Sequence, residues 1–181
     1  PRRREPRRRP LTLLHEDARW VAVDKPPGVP VHGGAGKTGP SVLERLEGQL
    51  GARLHLVHRL DRGTGGALLL ARRAEDARRA SELWADVEKR YWAIAEGAPR
   101  PGLIDRPLPD PDGRARPART ELLRVHALGG LGVSLCLVRI ATGRLHQIRR
   151  HLAGAGHPVL LDDRHGDFAR NKAFAEEVRE M

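Results

Sequence analysis

The hydrophobic and polar positions of this 181-residue chain alternate with the period of strands in some segments and of helices in others. Residues 67–71 form a continuous apolar run, which predicts a strand buried on both faces. Residues 100–118 are rich in Pro, Asp and Arg and predict a surface loop. The predicted strands cover residues 20–23, 54–60, 67–71, 91–95, 120–125 and 131–140, the last two as a hairpin.

Four segments show the helical period. Ser41 and Glu44 have the spacing of a capping box, which predicts that the first helix begins there and runs to about residue 50. The other predicted helices cover residues 74–89, with Leu83, Trp84 and Val87 inward, residues 144–153 and residues 172–178. Because strands and helices do not alternate regularly, we expect an α+β fold with a mixed, largely antiparallel sheet flanked by helices.

Composition narrows the class of protein. Lys and Arg exceed Asp and Glu by ten, and such a surplus favours a polyanionic partner, of which nucleic acid is the usual one. No apolar run approaches the ~18 residues of a membrane span and no secretory leader is evident, so we expect a cytoplasmic protein. The lone Cys136 excludes a disulfide framework and a multi-cysteine metal site, and its apolar neighbours predict a core thiol.

Half of the positive surplus lies in residues 1–10, which hold six Arg and one Glu. This segment has no apolar residue other than proline, so we interpret it as a disordered arm or the remnant of a linker. Such an arm could tether RNA without sequence preference, or it could be a solvated tail without a role. Residues 11–181 then form a single globular domain.

Residues 33–38 end like a phosphate-binding loop. That motif requires a glycine where Val31 stands, and a helix should follow it where Gly39 and Pro40 block helix growth. We therefore expect no NTPase, and instead a loop that approaches an anionic backbone.

A second pattern suggests a metal site, because four histidines lie close to three aspartates in the sequence. The five-residue spacing of His146 and His151 puts these two on different helix faces, unlike the pair of a helical zinc site. We therefore expect polar surface or RNA contacts, and no bound metal. The residues concerned are His146, His151, His157, His165, Asp162, Asp163 and Asp167.

The strongest candidate for a catalytic site is the segment 58–66 (HRLDRGTGG). It joins two apolar strands and places Asp61 among arginines and glycines. Arg149 shares a helical stripe with Leu145, Ile148 and Leu152, so its guanidinium lies at a buried face and requires a carboxylate partner. Asp61 is a candidate, although the spacing does not prove the pairing. An ionised, partly desolvated carboxylate suits nucleophilic catalysis on a sugar or base. A charged surface turn is the plainer interpretation.

Several segments in order resemble the RluA-type pseudouridine synthases, the family that isomerises uridine to pseudouridine in RNA. Residues 31–34 and 161–167 are most similar to the subgroup that acts on large-subunit ribosomal RNA. The segments that carry the resemblance are 23–28 (VDKPPG), 58–66 (HRLDRGTGG), 89–93 (KRYWA), 102–105 (GLID), 118–120 (ART), 142–149 (TGRLHQIR) and 156–158 (GHP).

The resemblance implies a role for each matching residue. Asp61 would be the nucleophile, Tyr91 would stack on the flipped uracil and help proton transfer at C5, and Arg149 would pair with Asp61. Arg59 would fill the gap that the flipped nucleotide leaves. The resemblance implies no cofactor and no metal, and we expect a monomer. The further expected contacts to RNA are Arg62, Thr64, Arg144, His146 and Gln147.

The chain also departs from the family pattern. Gly65 stands where the family usually has Ser, and Gly63 where it often has an acidic residue, which puts the turnover rate in question rather than the reaction type. No RNA-binding S4 domain precedes the core, and we find no Leu-His-Ala strand before Met181. The chain is therefore either a fragment or one that ends early.

Three functions remain open from the sequence. The leading one is a cofactor-free isomerase that converts uridine to pseudouridine in RNA, with ribosomal RNA as the expected substrate and ribosome biogenesis as the setting. The second is a non-catalytic RNA-binding or ribosome-assembly module with the same fold. The third is a metal-dependent hydrolase that uses the histidine cluster.

Overall fold

The computed structural model describes residues 9–33 and 39–180, and the chain divides into two compact units, Pro1–Trp84 and Ala85–Met181. Two predictions fall outside the described residues: nearly all of the basic arm at residues 1–10, and most of the loop at residues 33–38. The single catalytic domain over residues 11–181 stays a prediction.

The first unit is built around a four-stranded antiparallel sheet. Its strands are β1 (Leu13–Glu16), β2 (Trp20–Lys25), β3 (His55–Leu56) and β4 (Gly66–Ala71), and they lie in the order β1-β2-β4-β3. β2 pairs with β4 along its whole length, with Trp20 opposite Ala71 and Lys25 opposite Gly66. This register places the start of β4 beside the end of β2. The segment 58–66 therefore ends next to the segment 23–28.

Helix α1 (Val42–Leu50) begins with the predicted capping box. The Glu44 N–H donates to Ser41 Oγ (3.3 Å), and the Ser41 N–H donates to Glu44 Oε2 (2.7 Å). Both backbone N–H groups, which have no acceptor within the helix, are therefore hydrogen-bonded. Gly51, with φ +61°, ends the helix. The core of the first unit comprises Leu11, Val21, Val23, Val31, Val42, Leu46, Leu54, Leu68 and Leu70.

The two faces of β4 are both covered, largely as predicted. Leu68 and Leu70 are fully buried in the main core, whereas Ala71 and the half-buried Leu69 contact a smaller cluster that contains Val57. The segment over residues 54–60 was expected to be a strand throughout, but only His55 and Leu56 pair with β4. The rest of that segment is irregular because it turns toward the Asp61 loop.

The prediction of one helix over residues 74–89 is wrong. Helix α2 (Ala74–Glu82) is followed by a short 3-10 turn at Leu83–Ala85, and Leu83 is 62% exposed rather than inward. Val87 is exposed as well, and Trp84 is half-buried. From Lys89 onward the chain pairs as a strand, and these long-range hydrogen bonds override the local helical pattern.

The second unit contains a second four-stranded antiparallel sheet, in the order β5-β10-β9-β6, and two helices. Strands β9 and β10 form the predicted hairpin, and β5 pairs with β10 along its whole length. The elements are β5 (Lys89–Glu96), β6 (Gly102–Asp105), β7 (Leu108–Pro109), β8 (Ala115–Arg116), β9 (Arg119–Leu128), β10 (Val133–Ile140), α3 (Gln147–Gly154) and α4 (Phe168–Glu180).

Residues 100–118 were expected to be a surface loop, yet they contain three short strands. β6 pairs with β9, and β7 and β8 form a small two-stranded sheet of their own. Asp110 stabilises the turn between β7 and β8, because its carboxylate accepts the N–H of Arg114 (2.9 Å) and Nε of Arg116 (2.9 Å). The Pro and Asp content therefore marks tight turns between short strands.

Helix α3 begins at Gln147, three residues later than predicted, because His146 adopts a left-handed conformation with φ +54°. Leu145 consequently lies before the helix and is exposed, so the predicted stripe begins at Ile148. The core of the second unit comprises Ala95, Leu122, Cys136, Val138, Ile140 and Leu152.

The predicted α+β class with largely antiparallel sheets is confirmed. Cys136 is the expected core thiol, because it is fully buried and burial raises its pKa. Among the described residues no helix is both long and apolar enough to cross a membrane.

Candidate active site

Asp61 lies in the loop that joins β3 to β4, at the start of a tight turn. The Thr64 N–H donates to the Asp61 carbonyl (3.1 Å) and closes this turn. Asp61 and Thr64 are half-buried, whereas Arg59 and Arg62 are exposed. The turn therefore holds a partly desolvated carboxylate between two basic side chains.

A buried lysine anchors this turn to the loop that follows β2. Lys25 is fully buried, and its Nζ donates to the carbonyls of Pro26 (3.0 Å), Val29 (2.8 Å) and Arg62 (3.1 Å). Three carbonyls match the three donors of an ammonium group. Burial lowers the pKa of Lys25, and the charge of Asp61 acts against that shift. A fixed ammonium group therefore contributes to the electrostatic environment of Asp61.

Further contacts hold the same two loops close together. The Gly28 N–H donates to the Arg62 carbonyl (2.7 Å), and Arg62 Nε donates to the Gly28 carbonyl (2.8 Å). A Cβ added to Gly65 would lie 3.3 Å from the Lys25 carbonyl oxygen and 3.3 Å from Pro27 Cδ. The close approach thus favours glycine at position 65, and Arg62 stabilises the loop whether or not it contacts RNA.

His58 fixes the chain just before the turn. Its Nε2 accepts the N–H of Leu69 (3.0 Å), which requires an unprotonated nitrogen there, and its ring stacks on Trp84 at a centroid distance of 4.1 Å. This histidine therefore connects the start of the Asp61 segment to both β4 and the end of the first unit.

Tyr91 lies on β5 in the second unit, opposite Val138 of β10. It is half-buried, and it packs against the core cluster that also contacts Ile148 of α3. The ring is thus fixed by strand pairing and by core packing. Its predicted stacking on uracil stays a prediction.

Arg149 on α3 has a carboxylate partner within its own unit. Its Nε donates to Asp162 Oδ2 (2.7 Å) and its Nη2 to Asp162 Oδ1 (2.6 Å), so the pair is bidentate. The Asp162 side chain is 3% exposed and that of Arg149 is 27% exposed. The sequence correctly indicated that Arg149 needs a carboxylate, but it did not point to this one.

The Asp162 carboxylate is also held by its own segment. Its Oδ1 accepts the N–H of Arg164 (3.1 Å) and of His165 (3.3 Å). Burial acts to raise the pKa of Asp162, but the hydrogen bonds and charge of Arg149, with those two N–H groups, lower it on balance. Asp162 is therefore ionised at neutral pH.

Two residues beside this ion pair have a left-handed backbone without being glycine: His146 with φ +54° and Leu161 with φ +61°. Such conformations cost about 1–3 kcal/mol each and persist only where neighbouring contacts enforce them. The buried Asn171 of α4 supplies one such contact, because its Oδ1 accepts the Leu161 N–H (3.0 Å).

The remaining predicted RNA contacts of the second unit lie around the start of α3. His146 Nδ1 and His165 Nε2 are 3.0 Å apart and share a hydrogen bond.

Gln147 is buried, and both ends of its side-chain amide are hydrogen-bonded. Its Nε2 donates to the Arg119 carbonyl and Thr120 Oγ1, and its Oε1 accepts the N–H of Arg144 and the Thr142 hydroxyl. Gln147 thus shapes the turn, and its contact with RNA stays a prediction, as does that of the exposed Arg144.

The other two histidines of the suspected metal cluster each have structural partners of their own. His151 contacts Thr120 Oγ1 (2.8 Å) and the Arg106 carbonyl (2.9 Å), and His157 contacts the Glu96 carbonyl (2.9 Å). Within residues 9–33 and 39–180, no three side chains of the types that bind metals are grouped as a metal site would require.

The nine predicted site residues divide between the two units. Arg59, Asp61, Arg62 and Thr64 belong to the first, and Tyr91, Arg144, His146, Gln147 and Arg149 to the second. The Arg149–Asp61 pairing would join the units and stays a prediction. The sequence assigned no role to Lys25 and Asn171, and Asp162 was considered only as a candidate metal ligand. A lysine that directly ends a buried strand was the available signal for Lys25, and nothing local distinguished Asn171.

Comparison with protein families gives a match over residues 19–154 to the family described as RNA pseudouridylate synthase. The chain is 33% identical to tRNA pseudouridine synthase C of Pectobacterium carotovorum, with 91% of this chain and 50% of that protein aligned. It is 31% identical to the human mitochondrial pseudouridylate synthase RPUSD4, over 87% of this chain and 52% of that protein. The chain thus spans about half the length of these two relatives.

Solved structures show the same fold. Human RNA pseudouridylate synthase domain containing 4 superposes with a TM-score of 0.73 at 29% identity, over 87% of this chain and 69% of that one. Human RNA pseudouridylate synthase domain containing 1 gives a TM-score of 0.75 at 23% identity, over 88% and 71%, and this second likeness bears on the fold alone.

Proposed function

Because the chain belongs to the RNA pseudouridylate synthase family, we propose that it isomerises uridine to pseudouridine in RNA. The family match over residues 19–154 carries this proposal, because that range includes Asp61, Tyr91 and Arg149. The anchored turn around Asp61 supports it, since a nucleophile needs a fixed position.

The reaction breaks the bond from C1′ to N1 of uracil and forms a bond from C1′ to C5, while the hydrogen of C5 is lost and N1 gains a proton. The conversion is an isomerisation, so its atoms balance without an oxidant or other co-reactant. The base must leave the stack before it can turn, which costs a few kcal/mol and less in a loop. Stacking on an aromatic ring returns about 1–3 kcal/mol.

Asp61 is proposed as the nucleophile, which attacks the target uridine or assists departure of its base from C1′. Tyr91 is proposed to stack on the detached uracil and to help the proton transfer at C5, and Arg149 to pair with the Asp61 carboxylate. The ammonium group of Lys25 interacts with the Asp61 carboxylate, because the charge of Asp61 acts against the burial that lowers the pKa of Lys25. Arg59 is proposed to occupy the gap in the RNA.

The substrate is proposed to be a structured RNA, with ribosomal RNA as the class that the motif at residues 161–167 suggests. One relative is named as a tRNA pseudouridine synthase, so transfer RNA is the second class to compare. We further propose that the protein acts in the cytoplasm as a monomer.

The experiment uses ribosomal RNA and transfer RNA, each labelled with [5-³H]uridine, from a strain that lacks the gene. The full chain should release tritium from one of the two RNA preparations, with or without EDTA, because C5 loses its hydrogen. Binding of RNA without tritium release would favour the RNA-binding module, and RNA cleavage that EDTA abolishes would favour the hydrolase.

An Asp61→Ala variant should lose tritium release by at least about 10³-fold, the scale of removing a nucleophile, while its Kd for the same RNA stays within about twofold. The matched control is Asp86→Ala, which removes an exposed carboxylate and should retain activity. Normal release by Asp61→Ala would show that Asp61 is not the nucleophile.

A further inference from the structure

The Arg149–Asp162 pair has a deeply buried carboxylate. The Asp162 side chain is 3% exposed, close to the 5% of Glu96 beside Arg170 and far below the 35% of Glu121 beside Arg139. We propose that Asp162 is a positioning residue, which orients the Arg149 guanidinium for the reaction. This inference rests on the proposed function, in which Arg149 pairs with the Asp61 nucleophile.

The geometry of the pair explains how Asp162 would act. A guanidinium group has five N–H donors in one plane, and Asp162 accepts from Nε and from Nη2. Two contacts to one edge fix both the plane of the group and its rotation about the side-chain axis. The N–H donors on the opposite edge, which carries Nη1, therefore point in one fixed direction. An arginine that supports a nucleophile needs its donors to be oriented in this way.

The position of Asp162 is itself fixed from three sides. The N–H groups of Arg164 and His165 bind its Oδ1, and its own carbonyl accepts the N–H of Gly166 (2.7 Å). A Cβ at Gly166 would lie 2.7 Å from that carbonyl oxygen, so the turn closes tightly around the carboxylate. Asp162 is therefore a rigid acceptor and not a surface side chain that adapts to Arg149.

Helix α4 adds a second anchor to this segment. Asn171 accepts the Leu161 N–H through Oδ1 and donates through Nδ2 to Asp163 Oδ1 (3.0 Å), so one buried amide holds the residues on both sides of Asp162. Leu161 keeps its left-handed conformation under this constraint. Strain of this kind concentrates where a side chain must occupy one position.

The alternative is that the ion pair only fastens α3 to the segment that follows it. Both roles predict lower stability when Asp162 is replaced, so stability does not discriminate between them. A positioning role predicts in addition a slower chemical step at unchanged RNA affinity.

The test compares the full chain with Asp162→Asn in single-turnover release of tritium from the same labelled RNA, with enzyme in excess. The rate constant at saturation should fall about 10- to 100-fold, the scale of a misplaced catalytic group, with the Kd for RNA within about twofold. A wild-type rate constant in Asp162→Asn would overturn the inference.

Two further variants keep the test decisive. Glu121→Gln removes the carboxylate from the Arg139 pair in the same unit and should keep the wild-type rate within about twofold; an equal loss there would overturn the inference. Arg149→Met combined with Asp162→Asn should be no slower than Arg149→Met alone, because residues that act through one another are not additive. Losses that multiply would mean that Asp162 acts independently of Arg149.

If Asp162→Asn lacks the native circular dichroism spectrum, Asp162→Glu takes its place. This variant keeps the charge and displaces it by one methylene, so the rate constant should fall about 3- to 10-fold at unchanged RNA affinity. A wild-type rate in Asp162→Glu would then overturn the inference. Failure of the proposed function is distinguishable, because the wild-type chain itself would then release no tritium.

Discussion

The Asp61 turn of the first unit and the Arg149 segment of the second are held in place by different means. Contacts to backbone groups dominate around Asp61. The Lys25 ammonium group donates to three backbone carbonyls, and Gly65 allows the two loops to approach closely. Side chains dominate around Arg149, where Asp162 and Asn171 connect α3, the segment after it and α4.

This difference indicates how each half should respond to substitution. A turn fixed by backbone groups depends on a few positions where only one residue type fits, and it tolerates changes at exposed side chains. A segment fixed by a side-chain network depends on several residues far apart in sequence, and on their protonation. Substitutions at the two places should therefore differ in their effects on stability, on rate and on the response to pH.

Lys25→Met should cause the largest loss of stability. The substitution leaves the carbonyls of Pro26 and Val29 without the Lys25 donor, whereas the Arg62 carbonyl keeps the Gly28 N–H, and each unsatisfied acceptor costs about 1–3 kcal/mol. We expect the free energy of unfolding from urea denaturation to fall by about 3 kcal/mol, with a slower single-turnover rate. Lys172→Met, at an exposed position on α4, should change stability by less than about 0.5 kcal/mol. Equal losses in the two variants would contradict the anchoring role of Lys25.

Gly65→Ser should have an intermediate effect, although serine is the usual family residue at this position. The new Cβ would lie 3.3 Å from the Lys25 carbonyl oxygen and from Pro27 Cδ, so the two loops must separate by a few tenths of an ångström. We expect a loss of about 1–2 kcal/mol in thermal unfolding and a slower rate of tritium release. Gly63→Ser, where no atom lies within 4 Å of the added Cβ, provides the matched control and should be nearly neutral. A more stable Gly65→Ser chain would mean that the loops adapt to serine.

The smallest effect concerns pH and should come from the second unit. Burial lowers the pKa of His151, and it also lowers that of His165. The unfolded chain then binds protons more readily than the folded one, so stability is full above about pH 6.5 and declines as the pH falls below it. Urea unfolding should show a slope of up to about 1.4 kcal/mol per pH unit for each such proton.

His151→Gln should reduce this slope, leaving the part due to His165, whereas the exposed His126→Gln should leave the slope unchanged. An identical pH dependence in all three chains would show that histidines do not make the second unit sensitive to acid.

Much of the fold followed from local patterns. The capping box of Ser41 and Glu44, the strand over residues 20–23 and the β9–β10 hairpin were all predicted, because each depends on residues close in sequence. The wrong predictions involve pairing at a distance: the predicted helix over residues 74–89 ends at Glu82 and the chain pairs with β10 from Lys89 onward, and residues 102–105 join β9. No local period reveals a partner residue that lies 14 to 51 positions away along the chain.

The candidate site shows the same division. The sequence itself determined the motifs around Asp61, Tyr91 and Arg149, the requirement of Arg149 for a carboxylate, and the α+β class, because residue type and period carry that information. The folded structure was needed to see three contacts. Arg149 binds Asp162, Lys25 donates to the carbonyls that hold the Asp61 turn, and Asn171 holds the strained Leu161. The physical reason is burial. A charged group removed from water is costly unless it is paired, so its partners are the polar groups that the fold places next to it.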